Sequence, residues 1–101
     1  MKEHDTYKDQ GVADISNGMF NKAVKSLEKA LNLLNSLKIP AKLQEINAKK
    51  ASCLNNIALC YMQEDIPESV IKYTTQCLEI KGIDDTIKIK ALIRRGKLSP
   101  F

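Results

Sequence analysis

Apolar residues recur at intervals of three and four along most of the chain, which is the spacing of one face of an α-helix. Two stripes are the clearest, one in the first half of the chain and one near its middle. They consist of Ala23, Val24, Leu27, Ala30, Leu31 and Leu34, and of Cys53, Leu54, Ile57, Ala58, Tyr61 and Met62. No segment alternates apolar and polar residues over a useful length, so the pattern predicts an all-α fold.

Turn-forming residues divide this pattern into five predicted helices. Asn17-Gly18 ends a first helix that begins near Tyr7, and Ile39-Pro40 ends the second, because the residue before proline is pushed out of the α region. Pro67 suits the first position of the fourth helix, where no amide donor is needed. Lys81-Gly82 closes that helix with a glycine that favours the left-handed conformation.

Capping residues indicate where the other helices begin. Asn21 is expected to cap the second helix, and Asp84 or Asp85 to cap the fifth, which is predicted over residues 86–96. The third helix is predicted over residues 41–63, with a break near residues 48–50.

The second predicted helix pair matches the first when the sequence is shifted by 47 residues. Small residues then meet small ones, with Gly11 on Ala58, and the turn residue Gly18 falls on Asp65. The apolar residues that coincide are Ile15 with Met62, Ala23 with Val70, Val24 with Ile71, Ala30 with Cys77 and Leu31 with Leu78. This regularity indicates an internal repeat of helical hairpins.

These residues resemble the tetratricopeptide repeat (TPR) family. YKDQGVADISNGMFNKAVKSLEKAL looks like a first repeat, CLNNIALCYMQEDIPESVIKYTTQCLEI like a second and IKALIRRG like the opening of a third. A shift of 47 is then the 34-residue repeat plus an insertion of 13 residues. The resemblance implies an α-solenoid of helical hairpins with about two and a half repeats. Asp14, where an apolar residue is usual, and Pro67, where the turn has an aromatic, depart from the family pattern.

The implied organisation is a TPR-like domain over residues 7–97 between two short ends. Its parts are a disordered tail (1–6), repeat one (7–38), an extended link (39–50), repeat two (51–82), the first helix of repeat three (86–96) and a frayed end (98–101).

Composition narrows the functional classes. Hydrophobic residues make up 44% and charged residues 28%, a balance typical of globular domains, and no apolar run is long enough for a membrane span. The charged N-terminus lacks the apolar core of a signal peptide, so we expect a cytoplasmic protein with three reduced cysteines. One histidine, separated cysteines and no glycine-rich loop predict no catalytic residues, no metal site and no cofactor, and therefore no enzyme.

The charge balance favours an acidic partner. Lys and Arg total 16 against 12 Asp and Glu, a net charge of +4. Aromatic residues make up only 5% of the chain, so the stacking surface of a nucleic-acid binder is not expected.

One TPR subclass, the dicarboxylate-clamp co-chaperones, resembles this sequence more closely. Its members bind the acidic, EEVD-type C-terminal tail of heat shock protein 90 or 70. The resemblance implies that Lys8, Asn56, Lys90 and Arg94 bind the carboxylates of such a tail. Val12 stands where the subclass has an asparagine, and the missing hydrogen bond to a charged group is worth ~1.5–3 kcal/mol.

Two alternatives stay open from the sequence. The chain can be a general TPR scaffold for another peptide or protein, which the Val12 departure favours, or the TPR part of a larger immunophilin-type prolyl isomerase or phosphatase, which the extended link resembles. The fifth helix also has more apolar residues than one packing face hides, so we expect an exposed C-terminal face that can self-associate. Those residues are Ile87, Ile89, Ala91, Leu92, Ile93 and Leu98.

Overall fold

Five α-helices follow one another within the part of the chain that the computed structural model describes, residues 2–96, with side chains over residues 5–94. The helices are α1 (Lys2–Ser16), α2 (Phe20–Ser36), α3 (Leu43–Gln63), α4 (Pro67–Glu79) and α5 (Asp85–Gly96), with a 3-10 turn at Pro40–Lys42 before α3. No strand occurs within residues 2–96, so the all-α prediction is confirmed.

Each helix packs against its neighbours in the chain. α1 lies against α2, α2 against α3 and α3 against α4, while α5 contacts both α3 and α4. Short turns join α1 to α2 and α3 to α4, so each of these pairs is an antiparallel hairpin. Side-by-side hairpins give an elongated body of 44 × 27 × 19 Å.

The apolar stripes form two connected core clusters. The first fills the space between α2 and α3 and consists of Ala23, Val24, Leu27, Ala30, Leu34, Ile46, Cys53, Ile57 and Cys60. The second lies where α3, α4 and α5 meet and consists of Ala51, Leu54, Cys77 and Ala91. Leu31 and Tyr73 pack against both clusters, so one continuous core stabilises the molecule.

A left-handed residue closes the first hairpin. Gly18 has φ +74°, which costs a glycine little because it has no Cβ. The Met19 N–H donates to the Asp14 carbonyl at 2.8 Å and the Gly18 N–H donates to the Ile15 carbonyl at 3.0 Å. These two bonds are the Schellman arrangement, which satisfies carbonyls at the end of α1.

The second hairpin turns in the same way with a different residue. Asp65 has φ 59°, and it is the one non-glycine residue with positive φ within residues 2–96. The Ile66 N–H donates to the Tyr61 carbonyl at 3.0 Å, and the Asp65 N–H donates to the Met62 carbonyl at 3.2 Å. The two turns therefore share one hydrogen-bond pattern.

Two details of the prediction differ from the structure. The first helix begins at Lys2 and not near Tyr7, so residues 2–6 of the predicted disordered tail are helical, and an ion pair of 3.1 Å joins Asp5 to Lys49 on α3. The third helix is present as predicted over most of residues 41–63, but α3 is continuous from Leu43 to Gln63 and has no break near residues 48–50. Burial of Ile46 in the first core cluster explains that continuity. The frayed end over residues 98–101 lies outside the described residues.

One predicted cap is wrong and one is confirmed. α2 begins at Phe20, and Asn21 lies inside the helix instead of capping it. Phe20 packs against the first core cluster, so tertiary packing decides where α2 begins. At α5 the Asp84 Oδ1 accepts the Thr86 N–H at 3.1 Å, as predicted.

Two other signals have the expected geometry. Pro67 is the first residue of α4. Gly82 has φ +74°, although α4 already ends at Glu79, three residues before it. On α5 the side chains of Ile89, Leu92 and Ile93 are more than half exposed, as the excess of apolar residues predicts. Self-association through this face stays a prediction.

Candidate functional site

The five residues of the predicted clamp lie on three adjacent helices. Lys8 and Val12 are on α1, Asn56 is on α3, and Lys90 and Arg94 are on α5. Both α1 and α5 contact α3, so α3 is the centre of this surface. The α3 side chains on which Lys8 and Arg94 act show where these two charges lie along α3.

At the α1 end, the positive charge of Lys8 acts on the Cys53 thiol of α3. Burial raises the pKa of the Cys53 thiol to about 11, while the positive charge of Lys8 opposes that rise and Asp5 adds to it. The Lys49 ammonium lies 3.1 Å from Asp5 Oδ1 and so compensates the carboxylate. Lys8 itself is half-buried.

At the α5 end, Arg94 is half-buried and its Nη1 atom is buried without a hydrogen-bond partner among the described residues. Burial lowers the pKa of the guanidinium, and the nearby Cys77 and Cys60 thiols oppose that change. Burial likewise raises the pKa of Cys60 to about 11. A buried donor without an acceptor costs about 1–3 kcal/mol, so an anion that reached Nη1 would gain a strong partner.

A cleft of about 300 Å³ between α3 and α5 contains the two α5 cations. Its lining residues are Lys90, Arg94, Gln63, Leu59, Met62 and Ile93. Two positive charges therefore stand beside an apolar wall and one amide. Lys8, Val12 and Asn56 do not line this cleft.

Asn56 lies between the two charged ends of the surface. It is half-buried and follows Cys53 by three residues and precedes Cys60 by four. Lys8 acts on Cys53 and Arg94 acts on Cys60, two positions about 10 Å apart at 1.5 Å of rise per residue. The order along α3 is therefore Lys8, Asn56 and Arg94.

Val12 contributes an apolar side chain to the α1 part of the surface. The side chain is 43% exposed, so it is not a core residue. Its carbonyl accepts the Ser16 hydroxyl at 3.3 Å, a bond that any residue at position 12 can keep. A polar side chain at this position would meet solvent.

Sequence reasoning missed several residues of this region. Leu59, Met62 and Gln63 line the cleft, and their spacing of three and four on α3 was the signal that could have identified them. Asn55, the neighbour of Asn56 on α3, is buried with 4% exposure, and its Oδ1 has no hydrogen-bond partner within the described part of the chain.

No protein-family model matches the sequence, and no solved structure matches the chain. Among the described residues, no group of three His, Cys, Asp or Glu side chains is arranged to hold a metal ion. In the same part of the chain, no helix combines the length and apolar character that a bilayer crossing requires. Cys53, Cys60 and Cys77 are free and buried, as their helical spacing predicts.

Proposed function

We propose that the chain is a protein-binding module that docks the acidic C-terminal tail of heat shock protein 90 or 70 in the cytoplasm. The observation that carries this proposal is that Lys90 and Arg94 line one cleft, and that the buried Arg94 Nη1 has no hydrogen-bond partner among the described residues. A carboxylate is the acceptor that pairs best with a guanidinium in such surroundings. The free thiols agree with a reducing compartment.

The repetition of hairpin geometry supports a TPR-like array of about two and a half repeats. Gly18 and Asp65 occupy the left-handed positions of two turns with the same hydrogen bonds, 65 − 18 = 47 residues apart. At Gly11 a Cβ would lie 2.7 Å from Leu27 Cγ, so the first hairpin needs its small residue for close helix contact. Ala58, also 47 residues later, is fully buried.

The ends of the surface suit a ligand with two carboxylates on its last residue. Lys8 offers an ammonium at one end and Lys90 and Arg94 offer two cations at the other, while Asn56 offers an amide between them. A C-terminal aspartate has a main-chain and a side-chain carboxylate, so donors from both sides can bind it. The apolar wall of the α3–α5 cleft adds contact area beside the charges.

The decisive experiment compares an EEVD-type peptide with a free C-terminal carboxylate and the same peptide with an amidated end. We expect the free acid to bind more tightly and its affinity to fall with added salt. Lys90→Ala and Arg94→Ala should each weaken it by at least ~1.5 kcal/mol. Lys88→Ala is the matched control, since Lys88 is an exposed lysine of α5 outside the cleft. Unchanged affinity for the free-acid peptide in both cleft variants would contradict the clamp proposal.

Val12→Asn tests the incomplete position. Restoring a donor to a charged acceptor should strengthen the free-acid peptide by roughly a few- to a hundredfold. The exposure of Val12 predicts an unchanged melting temperature. A loss of binding without a loss of stability would show that the groove is built for a different ligand.

That outcome would favour a general scaffold for another peptide or protein. The apolar side chain at position 12 and the apolar wall of the α3–α5 cleft are the observations behind this second candidate. An uncharged apolar peptide should then bind with little dependence on salt, and Lys90→Ala should leave its affinity unchanged.

A further inference from the structure

A second groove lies between α2 and α4 and includes none of the clamp residues. It consists of two clefts of about 380 and 230 Å³ that adjoin each other, since Leu31 and Gln76 line both. We propose that this α2–α4 groove binds an extended acidic segment of a partner protein. The proposal does not depend on the clamp, because the two sites share no lining residue, although α3 contributes to both.

The charge of the groove favours an anionic ligand. Lys50 and Lys81 line the larger cleft, no acidic residue lines it, and neither lysine forms an ion pair within the described residues. The one acid of the smaller cleft, Glu28, already accepts the Tyr73 hydroxyl at 3.1 Å. Lys72 at this end lies 5.3 Å from the centre of the Tyr73 ring. Three lysines and one glutamate therefore give the groove a net charge of +2, and the excess lies in the larger cleft with Lys50 and Lys81.

Side-chain amides make the groove suitable for a polypeptide main chain. Asn32, Asn35, Asn47 and Gln76 line it, and none of their amide groups makes a hydrogen bond within the side chains that the structure describes. Each amide offers two donors and an acceptor, which matches the N–H and C=O groups that an extended peptide presents.

The dimensions and the apolar floor agree with a short extended segment. From Glu28 to Asn35 the groove follows seven residue steps of α2, about 10 Å, which is the length of three extended residues. Leu31, Leu54 and Ile80 lie along it and can contact apolar side chains of the ligand. Acidic residues alternating with apolar ones would place one kind of side chain on the floor and the other near the lysines.

The test uses a fluorescent hexapeptide of alternating glutamate and leucine, acetylated at its N-terminus and amidated at its C-terminus. The amidated end has no terminal carboxylate for the clamp. We expect the intact 101-residue chain to bind it in an anisotropy titration. The double variant Lys50→Glu/Lys81→Glu should weaken it by roughly tenfold or more, because both interactions become repulsive. The same peptide with glutamine in place of glutamate should bind at least about fivefold more weakly.

The matched control is Lys22→Glu/Lys88→Glu, which also changes the net charge from +4 to 0 but alters exposed lysines outside the groove. Its effect should stay below about threefold. Equal weakening in both double variants would overturn the proposal, as would equal affinity for the glutamine peptide or loss of binding in Lys90→Ala. If the groove variant melts at a lower temperature, Gln76→Leu provides a test without charge change, and undiminished affinity there would contradict the role of the amides.

Discussion

The two hairpins carry different residue pairs at equivalent positions, 47 residues apart. In the first, Gly11 allows Leu27 to come so close that a Cβ would lie 2.7 Å from Leu27 Cγ. In the second, the positions 47 residues later carry Ala58 and Thr74, both fully buried. The Thr74 hydroxyl donates to the Val70 carbonyl of its own helix at 2.7 Å, so its burial leaves no unpaired group. A larger residue on one helix requires a smaller one on the other.

A second difference concerns one equivalent position near the end of each first helix, buried in the first hairpin and half-buried in the second. In the second hairpin Tyr61 stacks on Tyr73 with ring centres 5.6 Å apart. In the first, the equivalent residue is Asp14, whose Oδ1 accepts the Gln10 amide at 3.2 Å while the buried Oδ2 has no partner. A buried unpaired oxygen destabilises and an aromatic pair stabilises, so the first hairpin should open more readily in hydrogen exchange.

The largest effect is expected from filling the close contact of the first hairpin. Gly11→Val should lower the free energy of unfolding by about 3 kcal/mol, because Leu27 and the Ala23 carbonyl occupy the space of the new side chain. The double variant Gly11→Ala/Leu27→Thr rebuilds the pair of the second hairpin and should lose less stability than its two single variants together. Urea unfolding measures all four free energies. Strict additivity would show that the two residues do not share the contact.

Removing the Asp14 carboxylate should raise stability, in contrast to the Gly11 substitution. Asp14→Leu should raise the free energy of unfolding by about 1–2 kcal/mol, because the buried Oδ2 atom disappears and apolar contact is gained. The control is Asp9→Leu, since Asp9 is exposed on the same helix and its replacement should change stability by less than about 0.5 kcal/mol. A melting temperature that falls in Asp14→Leu would mean that the carboxylate has a stabilising role.

The aromatic contact of the second hairpin predicts a pH dependence. Burial, followed by the charge of Glu28 and its hydrogen bond, raises the pKa of Tyr73 from its ordinary 10.0 to about 12. The unfolded chain then loses this proton first, so stability falls as the pH rises from about 10 to 12. Burial also raises the pKa of Cys53 and Cys60 from 9.0 to about 11. The stability of the folded chain therefore begins to fall near pH 9.

Tyr73→Phe separates these contributions. This variant should lower the free energy of unfolding by about 1 kcal/mol at neutral pH, because the hydrogen bond to Glu28 is lost. It should also reduce the loss of stability between pH 10 and 12, while the loss that the thiols cause remains. Unfolding curves recorded from pH 7 to 12 measure both. An unchanged slope above pH 10 would exclude Tyr73 as its source.

The smallest effect is expected from the turns. Gly18→Asp should cost about 0.5–1 kcal/mol, because a side chain is added to a residue in the left-handed region. Asp65→Gly should raise the free energy of unfolding by up to about 1 kcal/mol, because glycine adopts the left-handed conformation at little cost. The entropy that glycine adds to the unfolded chain reduces this gain. Thermal unfolding of the two variants gives the comparison. The same sign in both would show that the turns differ in more than this residue.

Local signals in the sequence predicted most of the helical order. The three-and-four spacing indicated the buried faces, and Gly18, Pro67 and Asp84 occupy the turn, first-position and cap roles that their chemistry favours. Helix ends that depend on distant contacts were predicted incorrectly. α1 begins at Lys2, near the ion pair that joins Asp5 to α3.

For the candidate site, the sequence determined which residues share one face of a helix, because this depends only on their spacing and on the geometry of that helix. It could place Lys90 and Arg94 on one face of α5, and the structure puts both in one cleft. Only the tertiary structure decided that Arg94 Nη1 is buried without an acceptor and that the α2–α4 groove joins two clefts. Burial and groove shape depend on the side chains of several helices that are distant in sequence, which no periodicity within one helix contains.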